Sequence, residues 1–488
     1  MKKLIRLLFR LLFLAVFVMA LIFTYNTMTF PSRQINVDAV EPMKIEEAAI
    51  GRLAGAVRIP TLSYEDHVDS AAFRLLDTFL VKNYPLVDSF LEKERVNEFS
   101  YIWKWPGQNA HLSPILLIAH MDVVGIENGG EDWSMPPFAA EEKDGYLWGR
   151  GTLDDKLAVC GILEAVESLL SVDYTPQRTV YLAFGHDEEV GGENGALSLA
   201  DIFKRRDIEF EYVLDEGSVI VENALPGCDP PVALIGLSEK GYATIDLTAN
   251  VESGGHSSMP GHESAINLLS EAITDLRDNP SPAKIDGPVK AMFEHIGPEM
   301  NFFNKIIFAN LRWTQGLVIG QMSGSPTTNA MLRTTIAPTI LNSGFKENVI
   351  PAQAKAQVNC RILPGESVET TLAHIRSIVD DRIEVSLSDN SHANEPPPVS
   401  GMDQFGYSIL QTTVREIYPD VIVAPSLVVA TTDARHYTAV SKNIYRFIPV
   451  KVTRPQIGGI HGTDEKIKIE EYKNTIRFYR QLILNSCK

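Results

Sequence analysis

The chain has 488 residues, more than the roughly 250–300 at which a single core stops growing, so two folded units with room for a full catalytic core are expected. Its formal charge is 44 − 62 = −18, and because residues 1–37 carry only Lys2, Lys3, Arg6, Arg10 and Arg33, the remainder stands at 39 − 62 = −23. A surface so acidic repels phosphate backbones and excludes nucleic acid from the expected partners.

The first residues, MKKLIRLLFRLLFLAVFVMALIFTYNTMTF, place Lys and Arg ahead of an apolar run. The run reaches about the ~20 residues a bilayer requires. Residues 1–30 read as a signal-anchor, a single-pass transmembrane segment. The rival is a cleaved secretory signal, but no A-x-A-like small-residue site follows the run. Basic residues at the N-terminus orient the segment positive-inside, which puts the catalytic bulk in the periplasm, lumen or exterior.

Short apolar runs of buried-strand type follow at Ile115–Ala119, Thr179–Phe184, Tyr212–Leu214, Val421–Ala424 and Ile444–Ile448. Helical segments lie between them. In Lys156–Leu170, for example, Leu157, Cys160, Leu163, Val166 and Leu170 repeat at helical spacing. Such alternation predicts an α/β domain with a mostly parallel sheet flanked by helices. From Tyr242 the pattern changes to strict alternation, with Ile245, Leu247, Ala249 and Val251 apolar, as on a half-solvated strand. The order beyond it reads strand 242–251, helix 263–276, strand 329–341, strand 352–363, helix 368–381 and strand 383–388, with an insertion around 280–325. That is a ferredoxin-like α+β unit. Ser391–Met402, with its three consecutive prolines, reads as a return linker. The catalytic domain is thus expected in two parts, 31–240 and 393–488, around an inserted domain at 241–392. The cysteines, Cys160, Cys228, Cys360 and Cys487, match neither a Cys-x-x-Cys metal site nor a disulfide scaffold.

Acidic and histidine groups follow the apolar runs or glycine turns: His120-Met121-Asp122, Asp154-Asp155, Asp187-Glu188-Glu189, Asp215-Glu216, and His461 in GGIHG. Ligands of open α/β sheets bind outside the carboxyl ends of the strands, so the groups at His120, Asp187 and Asp215 should converge on one rim, and Asp154-Asp155, which open a helix after GRGT, would add their carboxylates to the same crevice. Taken singly, each has an ordinary explanation: a hydrogen-bonded His-x-Asp pair, a solvated charge run, a helix N-cap, a loop histidine. Taken together, several carboxylates in one crevice cannot all ionise unless cations neutralise them. Two histidines with carboxylates suit zinc, with manganese or cobalt as possible substitutes.

The words LLIAHMDVV, GRGTLDDK, GHDEEVGG, VLDEG, SGGHSSMPGHES, NVIPAQAKAQVNCRILPG and GGIHGTDEK, spread over about Leu116 to Lys466, resemble the carboxypeptidase S, aminoacylase and glutamate carboxypeptidase family of co-catalytic zinc hydrolases. The likeness is greatest to the carboxypeptidase S branch, which includes the N-fatty-acyl-amino-acid hydrolases. The resemblance implies a zinc-peptidase-like catalytic domain with a lid or dimerisation domain inserted, and two zinc ions per subunit. It makes Asp154 the bridging carboxylate, with His120 and Asp215 on one metal and Glu189 and His461 on the other. Adjacent Glu216 stands as the alternative to Asp215. Asp122 would orient His120 through its free ring nitrogen, and Glu188 would be the general base. His256 matches a family histidine that reaches the oxyanion, often from a partner subunit, and so a homodimer is implied. Arg361 corresponds to an arginine that clamps a substrate carboxylate; Asn329 and Arg435 are further pocket candidates.

The implied substrate is an amide next to a free amino-acid carboxylate, in a short peptide or an N-acyl amino acid. The competing function is an inactive membrane-anchored binding ectodomain of the same fold. A serine hydrolase is disfavoured, since the chain has no Gly-x-Ser-x-Gly elbow. Within 280–325, Met292, Phe293, Phe302, Phe303, Ile306, Ile307, Phe308, Leu311 and Trp313 are concentrated. They are expected either to line an acyl-chain groove or to pack as a lid or dimer contact.

Overall fold

The computed structural model describes residues 1–261, 263–389 and 392–488. Ser391, the first residue of the expected linker, and His262, within one of the quoted motifs, lie outside the described residues.

Ile115–His120 and Val180–Gly185 are buried along their whole length, which is why both read as unbroken apolar runs rather than alternating ones. They pair in parallel, and Ile115–His120 also pairs in parallel with Tyr212–Asp215, which in turn pairs in parallel with Ile444–Arg446. The register sets His120 beside Gly185 and Asp215 beside Arg446, so the loops after these strands leave from one rim. The sheet is ten-stranded and mixed, with its central pairings parallel as expected. Glu92–Val96 and Ser100–Trp105 extend it antiparallel on one side, and Val232–Glu239 pairs antiparallel with Ile444–Arg446 but parallel with Ile422–Val428.

Helices cover both faces. On one, Lys156–Leu170 and Ile469–Ser486 close the largest apolar cluster. Their approach depends on Gly161, where an added Cβ would stand 2.9 Å from Thr475 Cγ2. On the other face Leu199, Ala200 and Phe203 of Ser198–Arg205 pack with Val213 and Tyr437.

A second sheet is antiparallel throughout, in the order Thr335–Ser343, Gln353–Ile362, Gly241–Asn250, Ile383–Leu387. With the helices Ala265–Asp278 and Val368–Arg376 packed on it, this is the expected ferredoxin-like βαββαβ order. Ser264 caps the first of these helices through Asn267 N, and Ser367 with Thr370 forms a capping box on the second. One expected strand is corrected: 329–341 is split between the helix Pro326–Leu332 and the strand Thr335–Ser343, so Asn329 is helical. Pro326 at the first helical turn and Ser325 before it are the overlooked start signals.

The insertion before that strand is helical, at Gly287–Ile296, Phe302–Ala309 and Leu311–Met322. Val289, Met292, Phe293 and Ile296 pack with Val232, Ile422, Ala424 and Leu427 of the large sheet. Lys2–Met28 is one continuous apolar helix of mean hydropathy 2.6 over its most apolar window, long enough to cross a bilayer. The four cysteines are buried and unpaired.

Candidate metal centre and its cavity

His120 ends its strand and turns its ring toward the loop that opens the helix Lys156–Leu170. His120 Nε2 lies 2.9 Å from Asp154 Oδ1, and His461 Nε2 lies 3.0 Å from Asp154 Oδ2. Asp154 therefore stands between the two imidazoles. His461 Nε2 is also 3.0 Å from Glu189 Oε2. The other ring nitrogen of His120 sits 3.1 Å from the Asp122 carbonyl oxygen and 3.3 Å from its carboxylate.

Asp122 does more than face His120. Its carboxylate accepts from the backbone N–H of Glu188 at 3.2 Å and of Glu189 at 3.1 Å, and from the Ser63 hydroxyl. One buried side chain thus fixes both the histidine and the acidic turn. That turn closes through Gly191 and Gly192, both in the left-handed region. At Gly192 a Cβ would collide with the Asp433 carboxylate, so glycine is required twice over there.

Donor atoms within 4.8 Å of one another form three overlapping groups: His120 with Glu188 and Glu189, His120 with Asp154 and Glu216, and Asp154 with Glu189 and His461. Among the described residues Asp215 is not part of these groups, whereas adjacent Glu216 is. Asp215 Oδ2 instead accepts from Ala434 N at 2.7 Å, on the side of the sheet where Arg446 pairs with Glu239 at 2.6 Å.

The electrostatics are those of an uncompensated acidic cluster. Burial pushes Glu188 and Glu216 well above the ordinary carboxylate range, with Asp154 adding to the effect, and raises Glu189 as well. Burial also acts to raise Asp154, but hydrogen bonds to His120 and His461 outweigh it and hold its carboxyl below the ordinary range. Hydrogen bonds to Asp154 and then Glu189 push His461 up to about 10. The imidazoles are being asked to act as cations. Glu189 Oε1 is buried without a hydrogen-bond partner among the described residues. Such a cluster fits divalent cations, whose charge would release both the carboxyls and the histidines from protons. Imidazole and carboxylate together are a zinc donor set.

Glu465, for which the sequence alone suggests no role, joins the two loops that carry Asp154 and His461. Its carboxylate accepts from Leu153 N at 2.7 Å and Gly151 N at 3.1 Å, and pairs with buried Arg150 at 2.5 Å. The only sequence signal is its place in the same motif as His461.

A cavity of about 800 Å³ opens over the cluster, walled by Glu188, Glu189, His461, Tyr242, Arg361 and Arg435 among others. The Arg361 guanidinium lies 4.8 Å from the centre of the Tyr242 ring and donates to Thr431 Oγ1 at 3.3 Å. Arg435 donates to the carbonyl oxygens of Gly191 at 2.8 Å and Thr432 at 3.0 Å. Asn329 is elsewhere, on a separate cavity of about 430 Å³ with Arg333 and Thr335. His256 is exposed on the short strand Gly255–His256, with Ser258 Oγ 2.8 Å from its Nδ1. Among the described residues, none of the insertion's apolar side chains lines the cavity over the cluster. Met292 and Phe293 are core, and Phe308 stacks on Phe293 at 4.7 Å.

The sequence profile described as peptidase family M20/M25/M40 matches residues 116–485. Over 500 residues the chain is 38% identical to "Probable carboxypeptidase S-like 2" of Dictyostelium discoideum, covering 100% of this chain and 95% of that one. It is 39% identical over 499 residues to "N-fatty-acyl-amino acid synthase/hydrolase PM20D1.1" of Danio rerio, covering 99% and 96%. Among solved structures, an M20 family metallo-carboxypeptidase from Sulfolobus solfataricus shares the fold with a TM-score of 0.65 at 16% identity, over 90% of this chain and 99% of that one.

Proposed function

This chain belongs to peptidase family M20/M25/M40, and on that premise we propose that it is a two-zinc hydrolase cleaving the amide bond beside a free amino-acid carboxylate. The observation that carries the reading is Asp154 lying between His120 and His461 at 2.9 and 3.0 Å. His120, Asp154 and Glu216 would hold one metal, and Asp154, Glu189 and His461 the other. Bound there, the ions would polarise the amide carbonyl and lower the pKa of a water from 15.7 toward about 7.

Glu188 reaches the cluster but is not needed to complete either donor set, which leaves its carboxylate free to move protons. It takes the proton of the attacking water and returns it to the departing amine nitrogen. Arg361 and Arg435 are the cations on the cavity wall, and a guanidinium suits bidentate capture of the substrate carboxylate. His256 is assigned the oxyanion; being exposed and away from this cavity, it serves the site of a second copy in a homodimer. Asn329, on a separate cavity, is dropped from the substrate contacts. The relatives' names point to two substrate types, carboxy-terminal peptides and N-fatty-acyl amino acids, and the same site serves both.

The complete donor set argues against an inactive ectodomain. Lys2–Met28 serves as a signal-anchor holding the catalytic domain outside the cytoplasm, with signal cleavage as the alternative. The test is turnover of dipeptides and N-acyl amino acids, beside the same compounds with the carboxylate capped as an amide, before and after exhaustive chelation. Hydrolysis of the uncapped series should vanish with the metal and return with zinc. Full activity after chelation, or equal turnover of capped substrates, would overturn the assignment.

A further inference from the structure

The helix Lys2–Met28 does not stand alone. Asn26 Nδ2 donates to Asn310 Oδ1 at 2.9 Å, and Asn310 Nδ2 donates to the carbonyl oxygens of Ile306 at 2.9 Å and Phe23 at 3.3 Å. Asn310 is the joint between the helices Phe302–Ala309 and Leu311–Met322 and is only 1% exposed. Just past it, Trp313 shares an apolar cleft of about 410 Å³ with Leu11, Val18 and Ile22 of the N-terminal helix. The insertion therefore lies beside the apolar span itself, not merely near its end.

The outward side chains there are unusual for a surface in water. Phe302, Phe303, Trp313 and Leu317 are 66%, 77%, 58% and 62% exposed. In a chain of net charge −18, no Asp or Glu occurs between Glu299 and Glu347, whereas Lys305, Arg312 and Arg333 do. Aromatic and aliphatic side chains with flanking cations, continuous with a bilayer-length helix, match an anionic lipid surface.

We propose that residues 301–322 form a second membrane-contacting element, seated in the bilayer beside the middle of the span Lys2–Met28. It rests on the signal-anchor reading. The same insertion packs through Met292 and Phe293 on the large sheet, Arg33 pairs with Glu294 at 2.9 Å, and Gln34 exchanges hydrogen bonds with the Val423 backbone at 2.8 and 3.0 Å. The catalytic domain is thereby held in one orientation over the bilayer instead of swinging on a single tether.

The experiment uses the full chain reconstituted in vesicles of phosphatidylcholine and phosphatidylglycerol whose acyl chains are brominated at mid-length, comparing wild type with Trp313→Phe. Trp103 and Trp105 are buried in the large sheet, Trp133 and Trp148 are half-buried and common to both proteins, and the N-terminal helix has no tryptophan. Equal hydrolytic rates of the two proteins in detergent report an intact fold. Brominated lipid should quench a component of the wild-type emission that Trp313→Phe lacks. If both proteins float with the vesicles and are quenched alike, the insertion does not enter lipid and the proposal is overturned while the anchor stands. The proposal is equally overturned if Trp313→Phe instead dissociates a dimer, since a second copy then covers the patch. Failure of both proteins to float removes the anchor reading, and this inference with it.

Discussion

Arg150 donates to the Glu465 carboxylate at 2.5 Å across 315 positions of sequence, inside the fold where both side chains are at most 2% exposed. The pair ties the loop carrying Asp154 to the loop carrying His461, and so sets the spacing of two proposed ligands. A buried ion pair contributes little net stability relative to an apolar pair, but removing one partner strands the other's charge.

Replacing Glu465 with Gln should therefore cost about 3–5 kcal/mol of unfolding free energy, read from a urea midpoint. Because the pair also positions ligands, metal affinity should fall about 10–100-fold. A variant that binds zinc as tightly as wild type would show that the loops are held some other way.

Glu216 and Asp215 are separable by metal counting. Glu216→Gln should lower the zinc content of the purified protein toward one ion per chain, because Glu216 lies in the cluster with His120 and Asp154. Asp215→Asn should keep both ions and lose stability, since its carboxylate holds Ala434 N. The reverse pattern by elemental analysis would return the ligand to Asp215.

Glu188→Gln should lower kcat by about 10²–10⁴-fold, the usual worth of a positioned acid–base group, with both metals retained. Pre-steady-state proton release would distinguish this from a binding defect. Unchanged turnover would remove Glu188 from the reaction.

Acidification should act through His436, whose Nε2 lies 3.0 Å from the Gly191 carbonyl oxygen and whose pKa is lowered to about 4, chiefly by burial and then by Arg435. The unfolded chain, with a histidine near 6.5, binds more protons than the fold between pH 6.5 and 4, so stability present above 6.5 is lost as pH falls through that window. The loss is at most about 3 kcal/mol. His436→Gln should flatten that part of the stability profile in chemical denaturation at stepped pH; an unaltered slope would mean other groups dominate.

Much of this was legible in the residues. Fully buried strands such as Ile115–His120 and Val180–Gly185 appear as unbroken apolar runs, and the half-solvated strand Gly241–Asn250 as alternation, because local burial is written directly into side-chain polarity. The βαββαβ order of the second sheet could be read for the same reason. The family resemblance rests on motifs inside the matched region 116–485. That His120, Asp187 and Asp215 approach one rim was expected from their places after apolar runs. Asn329 fell outside the strand expected at 329–341 because Pro326 starts a helix that runs to Leu332. The aromatic insertion was visible, but what it faces was not.

The sequence by itself determined the fold class through local pattern and the family through its motifs, and like-charge repulsion marked the acidic and histidine residues expected to share one rim. Only the tertiary structure decided that Glu216 rather than Asp215 faces Asp154, that Glu465 braces the ligand loops, and that Trp313 lies against the N-terminal helix. The physical reason is common to all three. Adjacent carboxylates are identical to any one-dimensional pattern, and a pairing across 315 positions, or between Asn26 and Asn310, carries no local signal until the chain closes on itself.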